Sequence, residues 1–400
     1  MRIAVHIHLK WALAVTTMLV CFCCANVKEE EKQCQISGTF NGLQNSEITL
    51  YEFTGNGEHV VLDAAILQDN YFELTSNVSE PKQAYISWNH KYVTPLFIVE
   101  GEIYLEADTM NRLSYNDFRE IRPLYKHSKI NNEYLEYLKA IDSLDNLPRF
   151  KEKINLIKNY EYVSSANDST RHKELKTQLF KYHEEREAEL KNILKVFVLK
   201  NSTSVVSPYL LLYSEAGFLA TKYTLEEIEH LFLSLDTSLE NTSYYADCKK
   251  QIVLKKRVSK GKYAPDFSLG TPDGSKLSLS DFKGKYVYLN FWAHWCKPCI
   301  DTFPKLEEIY AIYNKHDFEI INISDDPNEE LWKAALKEHD LPWSQVIVDL
   351  KKEQSAKITE TYNVNYLPTT FLIDKEGKIL AQDMNESDLM DFLKNNIELN

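Results

Sequence analysis

A largely apolar stretch from Tyr286 to Trp295 runs directly into Cys296-Lys297-Pro298-Cys299, and this junction constrains the chain more than any other feature. Such a stretch reads as a strand, and a proline two residues past the first cysteine suits the opening turn of a helix, where a missing N–H is no loss. Cysteines at i and i+3 then share one helix face, so a disulfide can close without unwinding the turn. The orphan N–H groups and positive dipole end of the helix favour a thiolate at the first cysteine, and Lys297 adds a cation beside it. Cys296 is therefore the candidate nucleophile. Cys299, one turn deeper, is the candidate resolving thiol that attacks the mixed disulfide. The competing reading is half of a zinc site, which needs two further ligands. Cys34 and Cys248 stand alone in distant segments, so no metal is expected and the redox-active Cys296–Cys299 pair serves without a cofactor.

Beyond the thiol pair the chain alternates between helical and extended patterns. Phe303, Leu306, Ile309, Tyr310 and Tyr313 recur at helical spacing. Phe318 to Ile323 reads as a strand, and Asp326-Pro327-Asn328 caps a helix through Trp332 and Leu336. Gln345 to Asp349 reads as a strand, and Lys357 to Tyr362 as a short helix. Leu367 to Asp374 is then a strand, Lys375-Glu376-Gly377-Lys378 a hairpin turn into Ile379-Leu380, and Ser387 to Asn395 a closing helix. Strands and helices alternating in this way build an α/β sheet covered on both faces.

Three ordered blocks carry a resemblance to a known family: Ala264-Pro265-Asp266-Phe267-Ser268-Leu269, Leu289 to Cys299, and Leu367-Pro368-Thr369-Thr370-Phe371-Leu372-Ile373-Asp374. Residues 263–400 resemble a thioredoxin-like domain of the TlpA/ResA-like thiol:disulfide oxidoreductases. The resemblance implies that the bond before Pro368 is cis and lies against the thiol pair, where backbone can pair with an extended substrate. It also implies that Trp292 and Trp295 flank the disulfide, although aromatic residues at a strand end are more often core.

The match has gaps. Asn290 stands where thioredoxin carries a buried acid, and Thr302 where this branch usually carries a glutamate three residues after the second cysteine. Neither can take a proton as a carboxylate. Water or the adjacent Asp301 is left to serve Cys299, with Asp301 about 100° around the helix axis from the glutamate position. The block Ala264-Pro265-Asp266-Phe267 also opens peroxiredoxins. Peroxide reduction wants a hydroxyl residue three before the reactive cysteine and a proline upstream, where this chain has Ala293 and Leu289.

The chain begins with Arg2 and Lys10 ahead of an apolar stretch from Trp11 to Ala25, short for a membrane span and right for a signal peptide over residues 1–25. Its end, Cys21-Phe22-Cys23-Cys24-Ala25, leaves two readings: a lipoprotein acylated at Cys24 or Cys23, or ordinary cleavage after Ala25. Either implies an exported, periplasmic protein, and the first a membrane anchor. The formal charge is −13, with 46 Lys plus Arg against 59 Asp plus Glu, which argues against a nucleic-acid partner. Cysteines outside the signal are too few for a disulfide-stapled scaffold, so the pair is chemistry and not framework.

Residues 34–110 show period-two runs, among them Ile48 to Phe53, Tyr71 to Leu74 and Ile103 to Glu106, that predict an antiparallel β domain of sandwich type. With its Gly38-Thr39-Phe40-Asn41-Gly42-Leu43 opening, it resembles the β-rich domain found ahead of TlpA-like modules in Bacteroidota exported proteins. Residues 116–258 read as a helical spacer, with faces such as Tyr134-Leu135-Leu138-Ile141 and Leu190-Ile193-Leu194-Phe197, punctuated at Ser207-Pro208 and Lys260-Gly261-Lys262. The basic run from Lys249 to Lys262 reads as a solvated helix end, with an acidic surface as the alternative contact.

Taken together, these residues predict an exported thiol:disulfide oxidoreductase of the protein-disulfide reductase type. Oxidised cysteines of exported proteins would be its substrates and a membrane redox partner its donor. Apocytochrome c thiols, in cytochrome c maturation, are the substrate the family suggests. The rival class is a partner-binding protein built on a thioredoxin-like scaffold without redox turnover, against which the intact Cys296/Cys299 pair argues.

Overall fold

The computed structural model describes residues 32–398 except 44, 55–57, 91, 109–111, 116–117, 152–168, 220–222 and 349–352. The expected signal, with Cys24, lies outside the described residues.

Alternating burial builds the first domain. Its strands are β1 (Gln33–Asn41), β2 (Glu47–Phe53), β3 (His59–Ile66), β4 (Tyr71–Asn77), β5 (Lys82–Trp88), β6 (Tyr92–Ile98), β7 (Gly101–Asp108), β8 (Arg112–Tyr115), β9 (Phe118–Ile121) and β10 (Leu124–Lys126). They form a four-stranded sheet, β10-β7-β1-β4, and a six-stranded one, β3-β2-β5-β6-β9-β8. Cys34, Ile36 and Phe40 of β1 share a core with Ile48, Ile86 and Trp88 of the other sheet. Most ladders are antiparallel, but β1–β7 and β6–β9 run parallel.

The helical stretch expected from residue 116 starts instead at Lys129, because β9 and β10 extend the β domain. These segments are too short to show a period of their own and become strands by pairing with β6 and β7.

Helices α1 (Lys129–Asp145), α2 (Pro148–Lys151), α3 (Ser169–Lys200), α4 (Val206–Tyr213), α5 (Leu225–Leu233) and α6 (Ser243–Arg257) come next. Ser207-Pro208 marks a break as expected: α3 ends at Lys200, and both residues are buried in the first turn of α4, where proline removes no helical bond. The buried Asn131 amide of α1 accepts from Phe97 N–H at 2.7 Å and donates to Phe97 C=O at 2.9 Å, tying α1 to β6.

The last domain comprises β11 (Ser268–Gly270), β12 (Lys276–Ser278), β13 (Tyr286–Trp292), α7 (Lys297–Ile300), α8 (Phe303–Tyr313), β14 (Phe318–Ser324), α9 (Glu329–His339), β15 (Ser344–Ile347), α10 (Glu353–Thr361), β16 (Thr369–Ile373), β17 (Ile379–Gln382) and α11 (Glu386–Asn396). The sheet order is β12-β11-β15-β14-β13-β16-β17, with β13, β14 and β15 parallel and β16 antiparallel to β13. Apolar clusters cover both faces, as the unbroken burial of β14 and β16 requires.

The join between helices and this domain is built, not slack. Val258 is buried in the C-terminal core, Gly261 N–H donates to Ile379 C=O at 2.7 Å, and Ala264 N–H donates to Gly377 C=O at 2.9 Å. The basic run is a solvated helix end, with Lys249, Lys250, Lys256, Arg257, Lys260 and Lys262 exposed; Lys250 also pairs with Glu360 at 2.8 Å and the half-buried Lys255 donates to Gln382 at 3.0 Å, both on the C-terminal domain.

Candidate active site

Parallel strand β13 delivers the chain to the carboxyl edge of its sheet, where open α/β sheets carry their chemistry. There Cys296 N–H donates to Ala293 C=O at 3.0 Å, closing a turn, and Cys296 becomes the N-cap of α7. Cys296 and Cys299 are joined in a disulfide with Cα atoms 5.3 Å apart. The Cys299 N–H points at Cys296 Sγ, 3.3 Å away, a contact that strengthens when the sulfur carries charge. Cys299 is fully buried and Cys296 retains 4% exposure.

The other expected residues divide. The Leu367–Pro368 bond is cis. Trp295 is 62% exposed beside the pair, whereas Trp292 is core, edge to face with Phe303 at 5.2 Å. Pro298 lies in the first turn of α7. Lys297 and Asp301 pair with one another across the turn at 3.4 Å, so Asp301 is turned to the surface lysine. Thr302 donates its hydroxyl to Cys299 C=O at 2.7 Å.

Two features escaped the sequence. His294 and Asp326 pair through Nδ1 and Oδ1, and the same carboxylate accepts the His294 backbone N–H at 3.0 Å and the Ser324 hydroxyl at 2.5 Å. The buried Asp326 thus clasps the turn that carries Cys296 from the end of β14. The usable signal was Ser324-Asp325-Asp326 at the carboxyl end of a strand parallel to β13. Next to it, the half-buried Asp325 carboxyl is pushed up by burial and then by the Asp326 charge.

The second feature is a cavity of about 170 Å³. Asn290, Thr302 and Pro368 line one side, and Tyr288, Asp383 and Glu386 the other. Asn290 Nδ2 donates to Asn322 Oδ1 at 3.0 Å, two neutral amides where a buried acid would otherwise sit. Asp383 accepts from Tyr366 OH at 2.6 Å. The Tyr366 hydroxyl is held well above its usual range by burial and by that carboxylate. Among the described residues no group of three or more His, Cys, Asp or Glu side chains is arranged for a metal ion, and no helix is long and apolar enough to cross a membrane.

Sheet order, the thiol pair at a helix start and the cis proline define a thioredoxin-type dithiol module. A model of the AhpC/TSA family matches residues 260–382, and one described as Domain of unknown function (DUF4369) matches residues 34–132. A thiol-disulfide oxidoreductase ResA of Bacillus cereus is 40% identical over 132 residues, 33% of this chain and 73% of that protein. ResA of Bacillus subtilis (strain 168) is 33% identical over 142 residues, 35% of this chain and 76% of its own length. The crystallised thioredoxin domain of a thiol-disulfide oxidoreductase from Bacteroides vulgatus aligns with TM-score 0.33 and 33% identity, covering 35% of this chain and 99% of that one. The chain belongs to the ResA-like thiol-disulfide oxidoreductase family. Ala293 and Leu289, where a peroxide-reducing site would need a hydroxyl residue and a proline, are both buried and apolar.

Proposed function

We propose that the protein is an exported protein-disulfide reductase. The Cys296 thiolate attacks a disulfide in a substrate protein, releasing one substrate thiol and leaving the other in a mixed disulfide. Cys299 then attacks Cys296 Sγ, releases the second substrate thiol and closes the Cys296–Cys299 bond. Two electrons pass from the pair to the substrate, and a membrane redox donor restores the dithiol. The single observation that carries this reading is the Cys296–Cys299 disulfide at one helix start, with Cys296 as the N-cap and its sulfur facing the Cys299 N–H at 3.3 Å. Lipid attachment at Cys24, a periplasmic location and apocytochrome c thiols as substrate belong to this proposal, supported by the Cys-rich end of the apolar leader and by the family.

Insulin reduction by dithiothreitol tests it: the wild type accelerates precipitation, and Cys296→Ser abolishes the acceleration. Cys299→Ser instead accumulates a mixed disulfide with insulin, seen on a non-reducing gel. Equal, negligible rates for wild type and Cys296→Ser would sink the proposal.

A further inference from the structure

The resolving step needs Cys299 as a thiolate, and the positions from which the family draws an acid are neutral here, Asn290 and Thr302. Asp301, the neighbouring carboxylate, is engaged at the surface with Lys297. The cavity lined by Thr302 and Pro368 offers another source. Thr302 lines it from a position three residues past Cys299 and is hydrogen-bonded to the Cys299 carbonyl. Met384 also lines it and packs into the apolar cluster that contains both cysteines. Its volume has room for a short chain of waters among polar walls.

The polar groups of the far wall are committed, with one exception. Asp383 is taken by Tyr366 OH and by Thr370 N–H at 3.4 Å, and Tyr288 OH donates to Met384 C=O at 2.9 Å. The Glu386 carboxylate, half-buried at the start of α11, has no hydrogen-bond or ion-pair partner among the described residues. Its charge nevertheless reaches the cavity floor. The Tyr288 phenol is held above its usual range first by burial and also by the Glu386 and Asp383 carboxylates. The titratable groups facing Glu386 are thus Tyr288 from β13, Asp383 and, through it, Tyr366 from the loop before the cis proline, with Asp388 on its own helix; the start of α8 contributes only the neutral Thr302.

We propose that Glu386 is the proton acceptor for Cys299, reached through water in this cavity from the wall opposite the one the family uses. The inference rests on the reductase reading. In the mixed-disulfide state the Cys299 S–H proton passes through water to the Glu386 carboxylate. Cys299 S⁻ attacks Cys296 Sγ, the Cys296–substrate bond breaks, and the departing thiolate recovers the proton from the Glu386 acid. Proton and charge return to their starting places, and the two electrons reside on the substrate thiols.

Stopped-flow reaction of the reduced full-length protein with dithiobis(nitrobenzoate) separates the steps. The first thionitrobenzoate released reports attack by Cys296, and the second reports resolution by Cys299. Glu386→Gln is expected to slow the second release about tenfold or more at pH 7 and to move its rise to higher pH, with the first release unchanged. Adding Thr302→Glu, which places a carboxylate on the facing wall of the same cavity, restores the second release; a purely helix-stabilising Glu386 would give no such rescue. A second release at wild-type speed in Glu386→Gln, or equal slowing of both releases, overturns the proposal. Absence of any release from the wild type would instead bring down the reductase reading itself.

Discussion

Asp325 and Asp326 are adjacent residues with opposite circumstances. Asp326 is enclosed but accepts from His294 and Ser324, so burial of its charge is compensated. Asp325 is half-buried with its neighbour's negative charge beside it, and its carboxyl is raised. A folded state that holds this proton more tightly than the unfolded chain loses stability as pH rises from the ordinary carboxyl range through the raised value. Asp325→Asn should therefore raise the urea midpoint at pH 7, by under about 1 kcal/mol given its partial exposure, and the gain should vanish as pH falls below about 4. Unfolding curves at the two pH values check the sign. At this scale the sequence was legible where chemistry is contiguous, as at Cys296-Lys297-Pro298-Cys299. It was opaque where a partner is distant: His294 finds Asp326 only because β13 and β14 run side by side, and the cavity draws its walls from β13, the start of α8, the cis-proline loop and α11.

Among the elements, β1 shows what a strand requires beyond its apolar period. It lies between β4 and β7, and a Cβ on Gly38 would stand 2.0 Å from the Leu105 carbonyl oxygen. Gly38→Ala must push the central strand from its parallel neighbour, and a loss of about 3 kcal/mol is expected in urea unfolding of the β domain. Thionitrobenzoate release from the C-terminal pair should be unaffected. Elements with a strong period were readable: β2, β4, β14 and α9 fall within a few residues of their sequence-based bounds. Those that depend on a partner, β9 and β10, were not, since three or four residues carry no period and pairing alone decides their state.

Across the whole molecule, the seam between the helices and the catalytic domain combines apolar burial with charge. Val258 is 1% exposed inside the C-terminal core, whereas Lys250–Glu360 is a surface pair. Exposed pairs contribute little, so Lys250→Ala with Lys255→Ala should shift thermal unfolding by less than about 1 kcal/mol. Val258→Asp places an unpaired charge in the core, and a loss of about 3 kcal/mol or more is expected, with new protease cleavage between residues 258 and 263. Equal effects of the two changes would show that charge, not burial, holds the seam. The sequence showed a basic helix end and a Gly-containing punctuation here, but its partners, Glu360, Gln382 and Ile379, lie more than a hundred residues onward.

Because Gly261 is bonded to the edge strand β17 and Ala264 to the turn that opens it, the reactive sulfur is not carried on a loose tether that sweeps for targets. The link is laid along the rim of the domain it serves, and Val258 ahead of it is sunk in that domain's core. Helix α6 and the thiol-bearing sheet are thus spliced by anchored chain and not by a free leash, so cutting or lengthening that splice should disturb the C-terminal core itself.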